Sequence, residues 1–186
     1  MKKSESIKRI LALTLALCML FVAGCSKDKD EDKDSKSDSM FFYDADGDAV
    51  FNITVDEYLE RFCDELSDHE DINIPLTTND FERSVLNGYG VYEIDMGDGE
   101  LSIGFYEKDN DDYVTDVDLN AYVDYEGAPV IMYCLASAFY PDDDYDTIIT
   151  EVENAYDSNS SKYKDLSLGC DLHKEGTQMW WILPND

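Results

Sequence analysis

Asp44, Asp46 and Asp48 stand at alternate positions of a short polar segment, the ligand spacing of the first half of an EF-hand loop. Their hard carboxylate oxygens suit Ca²⁺. The second half of that pattern is not kept, because Ala49 stands where the loop needs its sharp-turn glycine and Val55 where it needs a bidentate glutamate. The segment reads either as a calcium site with a reduced ligand set or as an acidic turn. The acidic runs at 109–112 and 142–144 read as a solvated loop and a helix cap.

Nucleophilic catalysis needs a serine or cysteine beside a histidine base that a third group orients. The chain has two histidines, His69 in an acidic stretch and His173 near a turn. Cys170 and His173 lie three apart on a candidate strand, which places them on opposite faces. The sequence contains no Gly-x-Ser-x-Gly, no glycine-rich phosphate loop and no His-Glu-x-x-His. Carboxylate pairs of the kind that hydrolyse glycosides are not distinguishable among so many acids, so an envelope hydrolase is only a third reading. The expectation is a protein that is not an enzyme.

Aromatic side chains offer a different chemistry. The chain carries 13 tyrosines and closes on Trp180-Trp181. Neighbours on a strand point to opposite faces, so one tryptophan is expected in the core and the other at the surface. A surface tryptophan, with Tyr106, Tyr122 and Tyr125 as further candidates, suits an envelope protein partner or a sugar ring.

These residues need elements to hold them. Thr54 followed three residues later by Glu57 is a capping-box signal, and Val55, Tyr58, Leu59, Phe62, Cys63 and Leu66 recur at helical spacing, predicting a helix from Val55 to about Ser67. Upstream, apolar triplets flank the 44–48 aspartates, as in a short hairpin or an extended lead-in. Alternation then predicts four strands. They run through Phe81 to Leu86, through Tyr92 to Met96, through Leu101 to Phe105, and through Tyr113, Thr115, Val117, Leu119, Ala121 and Val123, with Asn87-Gly88 as a hairpin turn. A short helix from Asn79 to Leu86 is the alternative for the first.

From Ala128 the period changes. Val130, Ile131, Cys134, Leu135 and Ala138 line one helical face, Pro129 suits a first turn and Pro141 ends the helix. Asp142 to Asp144 are expected to cap another helix running to about Asp157, with Ile148, Ile149, Val152 and Tyr156 buried. Ser158 to Ser161 reads as a loop, and Leu168 to His173 and Met179 to Leu183 as a closing hairpin. The expected class is α+β: a four-strand antiparallel meander plus a C-terminal hairpin, with three helices packed on one face.

The first 39 residues differ in kind. Lys2, Lys3, Lys8 and Arg9 precede an apolar run from Ile10 to Ala23, broken only by Thr14, in the order of a signal peptide. The run is shorter than the roughly 20 residues that span a bilayer as a helix. Val22-Ala23-Gly24-Cys25 at its end resembles the bacterial lipobox. That resemblance covers residues 1–25 alone and implies a signal peptide over 1–24, cleavage between Gly24 and Cys25, and a diacylglycerol on the Cys25 sulfur. It also implies a lipoprotein anchored in the cell membrane with the rest of the chain on the extracytoplasmic face, and the composition of the chain suggests the Gram-positive type. Residues 26–39 contain no apolar side chain and read, with Cys25, as a disordered tether over 25–39, with a reach of roughly 20 Å.

Residues 40–186 have the length of one domain. Arg61, Arg83, Lys108, Lys162, Lys164 and Lys174 are their only basic residues, and the chain as a whole has a net charge of −29. Phosphate backbones are bound by clustered Lys and Arg, so nucleic acid is not an expected partner. Cys63, Cys134 and Cys170 are odd in number and lack the spacing of a zinc or Cys-x-x-Cys site, so one disulfide at most is possible among them. The reading that joins these facts is a membrane-anchored, extracytoplasmic lipoprotein whose acidic domain binds a partner or ligand without catalysis. A calcium-binding surface domain is the alternative.

Overall fold

Thr54 begins the first helix as its spacing predicts. Its Oγ1 accepts the Glu57 amide at 3.3 Å, and α1 runs Val55–Asp68. The Glu57 carboxylate turns instead to Arg61, one helical turn on, at 2.5 Å. A computed structural model of the chain describes residues 40–69, 74–86, 89–122, 125–172 and 176–185. The signal peptide, Gly24, Cys25, the tether, the Asn87-Gly88 turn and His173 lie outside the described residues.

Before α1, strands β1 (Phe41–Tyr43) and β2 (Ala49–Phe51) form a hairpin around the aspartate turn. After it, a single 3₁₀ turn at Thr78–Asp80 leads into β3 (Glu82–Leu86), so this segment is a strand rather than the alternative helix. There follow β4 (Tyr89–Asp95), β5 (Gly99–Lys108), β6 (Asp111–Tyr122), α2 (Ala128–Ser137), α3 (Tyr145–Ser158), β7 (Ser160–Tyr163), β8 (Leu166–Leu172) and β9 (Thr177–Pro184). The last seven strands make one antiparallel sheet in the order β3-β4-β5-β6-β9-β8-β7. The closing hairpin therefore joins the meander through β6 and β9, with Leu119 opposite Trp180. The class is α+β, with the three helices on one face of the sheet.

The inner face is legible from the register. Leu101, Ile103 and Phe105 of β5 sit beside Leu119, Val117 and Val114 of β6, and Leu119 and Val117 beside Trp180 and Ile182 of β9. All are buried in one cluster with Tyr58, Phe62, Ile131, Leu135, Ile148 and Val152 of the helices. This is ordinary two-layer burial.

Five expectations need correction. Strict alternation placed Tyr113 and Thr115 inward on β6, but Phe105 pairs with Val114 while Gly104 pairs with Asp116, so Thr115 is the extra residue of a β-bulge and Val114 takes the inner position. Residues 158–161 are not a loop: α3 continues to Ser158, Asn159 turns the chain at φ 65°, and β7 pairs with the free edge of β8. A left-handed asparagine is a common helix terminator.

The acidic run 142–144 does not cap α3 with its side chains. Asp144 occupies the N-cap position without a side-chain cap bond, while the Asp143 carboxylate accepts Tyr163 and Lys164 from the β7–β8 turn. Nor is α2 one-faced. Residues 131–137 are all buried, because the helix lies between α1, α3 and β6, and the absence of any charge from Ala128 to Tyr140 is the sequence signature of such enclosure. On α3, Ala155 is buried while Tyr156 is 41% exposed, its ring stacked on Trp180.

Candidate functional site

The side chains that alternate outward on the sheet face away from the helices, and among the described residues no helix packs on them. One row crosses the whole sheet. From β3 to β7 it reads Glu82, Glu93, Ser102, Asp118, Trp181, Gly169, Ser160, each paired with the next. Trp180 is fully buried and Trp181 half-buried, the division expected of consecutive strand residues.

Gly169 seats the Trp181 indole. A β-carbon at residue 169 would lie 2.0 Å from the ring, so the indole rests directly on the β8 backbone. Gly104 plays the same part for Asp116, whose Oδ1 would stand 2.3 Å from a β-carbon there. The Thr115 hydroxyl donates to that oxygen at 2.7 Å and holds the carboxylate in place.

Asp118 lies between these two features. It pairs across strands with Trp181 and follows Asp116 by two residues on the same face. Among the described residues its carboxylate has no hydrogen-bond or ion-pair partner. Burial, with a smaller contribution from the charge on Asp116, pushes its carboxyl up to about 6. Met179 and Leu183, the next outward residues of β9, flank the tryptophan on either side.

The charge of this face is one-sided. Glu82, Glu93, Asp95, Glu100, Asp116, Asp118 and Asp171 point outward, against Lys162, whose ammonium donates to Asn185 at 2.6 Å, and Lys108, whose ammonium lies over the Phe42 ring. At one end the face runs into an open cleft of about 500 Å³ lined by Asp95, Asp98, Glu100, Asn120, Tyr122 and Thr177.

The other sequence candidates are placed elsewhere. A single oxygen of Asp44, Oδ1, accepts the amides of Asp46, Gly47 and Asp48, each at 2.9 Å, so this carboxylate organises the β1–β2 turn, and Asp46 and Asp48 are exposed. Among the described residues no group of three or more His, Cys, Asp or Glu is arranged to hold a metal ion. Tyr106 packs against Phe42, and Tyr122, 56% exposed, lies at the far end of β6 from the bulge. His69 meets the Tyr133 and Tyr145 rings and lies 3.5 Å from Glu65.

The three described cysteines, Cys63, Cys134 and Cys170, are free thiols. Cys134 and Cys170 are buried, and burial raises all three above the ordinary thiol range, Cys63 and Cys170 to about 11. A poised nucleophile shows the opposite shift.

The sequence singled out the Trp180-Trp181 pair without deciding which of the two faces outward, and Asp118, Gly169 and Gly104 were not legible. Each gains its meaning from a neighbour on another strand, and no spacing along the chain encodes that. Among the described residues no helix is long and apolar enough to cross a membrane. Compared with known proteins, the chain matches no family model, and neither a curated protein nor a solved structure is detectably similar to it.

Proposed function

We propose that the chain is a lipoprotein, anchored through a diacylglycerol on Cys25 to the outer face of the cell membrane, whose acidic domain acts by binding a partner rather than by catalysis. The anchor reading rests on the charged head, the apolar run and the small residues before Cys25. A diacylglycerol supplies two acyl chains, enough for stable attachment.

The binding reading is carried by one observation: the outward sheet face presents a tryptophan seated on glycine beside an unpartnered carboxylate. Core packing accounts for Trp180 but not for Trp181. A partly exposed indole held against the backbone of the neighbouring strand is preorganised, so little side-chain entropy is lost when a partner lands on it.

Two measurements test this. Mass spectrometry of the protein from its own host should find Cys25 as the modified N-terminus, and residues 1–24 still attached or an acyl-free terminus would overturn the anchor. A photo-crosslinking amino acid at position 181 should capture a partner on native cells, while the same group at exposed position 153 on α3 should not. Equal capture from both positions would remove the sheet face from the binding reading.

A further inference from the structure

We propose that the outward sheet face around Trp181 and Asp118 docks an extended cationic peptide segment, one of whose ammonium or guanidinium groups sits on the indole against the Asp118 carboxylate. The inference rests on the binding reading above and names the chemistry of its partner.

Three features select a cation. A cation over an indole is attracted by the ring quadrupole, and a carboxylate at its edge adds direct charge pairing. Trp181 and Asp118 are cross-strand neighbours and supply both. Asp116 and Asp118 place two like charges on one strand face with no cation between them among the described residues, an arrangement that a bound positive group relieves. The face as a whole is complementary to positive charge, since its outward carboxylates outnumber its outward lysines, Lys108 and Lys162.

The spacing favours a peptide over a small cation. Alternate residues of a strand repeat at roughly 7 Å, so Asp116 and Asp118 match the same-side repeat of an extended peptide laid along β6. Ser102 on β5 flanks Asp118 and Gly169 on β8 lies beneath the indole in the cross-strand row, so neither neighbour sets a bulky side chain over the pair.

The test uses the full chain in non-ionic detergent, titrated by calorimetry with the peptide Arg-Gly-Arg-Gly-Arg and with its neutral citrulline counterpart. The arginine peptide should bind about tenfold more tightly, and its affinity should fall as NaCl rises from roughly 0.05 to 0.5 M. Asp118→Asn, which preserves shape, and Trp181→Leu should each weaken binding about tenfold, whereas Glu153→Gln on α3 should change it less than about twofold.

Equal losses from Glu153→Gln and Asp118→Asn would reduce the effect to the general attraction of an acidic protein and overturn the site. No preference for arginine over citrulline would overturn the cation. Chitotetraose binding that is lost in Trp181→Leu but not in Asp118→Asn would make the face a saccharide platform. Each of these results leaves the crosslinking at position 181 standing or falling separately, so this proposal and the binding reading fail independently.

Discussion

The Trp181 indole rests on the backbone of Gly169, so closely that a methyl group on that residue would stand 2.0 Å from the ring. Gly169→Ala must therefore move either the indole or the strand, and overpacking of this kind costs about 1–3 kcal/mol. Thermal unfolding should show that loss, and the double variant Gly169→Ala/Trp181→Ala should recover most of what the glycine substitution alone loses. Simple additivity of the two would mean that the ring does not depend on the glycine.

Asp118 makes stability depend on pH with a definite sign. Its folded carboxyl titrates at about 6, above the roughly 3.9 of an unfolded aspartate, so between these values the folded state binds more protons. Its contribution is fully present below about pH 4 and is lost as pH rises through 6. Asp118→Asn should accordingly stabilise the protein at pH 7 by on the order of 1 kcal/mol after screening by solvent, and have little effect at pH 4. Denaturant unfolding at the two pH values checks this, and a larger gain at pH 4 would reverse the assignment.

Gln178 is a buried amide, 3% exposed, that ties three segments together. Its Nε2 donates to the carbonyls of Tyr122 and Tyr125 at 2.8 and 3.4 Å, and its Oε1 accepts the Trp180 indole N–H at 3.1 Å. Gln178→Leu should cost about 1–3 kcal/mol, because it strands the indole N–H in the core. An unchanged denaturation midpoint would show that water satisfies those groups instead.

Tyr58 caps the buried C-terminal end of α2 from α1. Its hydroxyl donates to the Leu135 carbonyl at 2.8 Å, and Arg61, one turn on, donates to the Ala138 carbonyl at 3.1 Å. These are helix-terminal carbonyls without partners inside their own helix. Tyr58→Phe keeps the ring and leaves a buried acceptor bare, so it should lower stability by about 1–2 kcal/mol in chemical denaturation. A neutral result would show that the hydroxyl holds nothing.

Cys63, Cys134 and Cys170 should resist thiol reagents near pH 8, because burial disfavours each thiolate. Reaction with a chromogenic disulfide should be slow in the folded protein and fast in denaturant. A fast-reacting thiol among these three in the native state would revive a nucleophilic role.

Much of the architecture was legible because it depends on local chemistry. The Thr54 cap, the helical recurrence from Val55 to Leu66 and the alternation through Leu101, Ile103 and Phe105 each carry their own period. The bulge at Thr115 was not legible, since an extra residue in one strand is defined only against the strand it fails to match. Strand β7 was hidden for a related reason: Ser160 and Ser161 have little strand preference, and pairing with the edge of β8 overrides it. Asp143 was read as a cap because of its position before a helix, but Tyr163 and Lys164, twenty residues on, claim its carboxylate.

The chain by itself determined the acidic character of the protein, its α+β class, and that one of two adjacent tryptophans must face outward. These follow from composition and from periods of 2 and 3.6, which any segment carries alone. Only the tertiary structure decided which tryptophan that is and what lies beside it. Asp118, Gly169 and Trp181 belong to three different strands, and the register that aligns them arises when the sheet closes around its core.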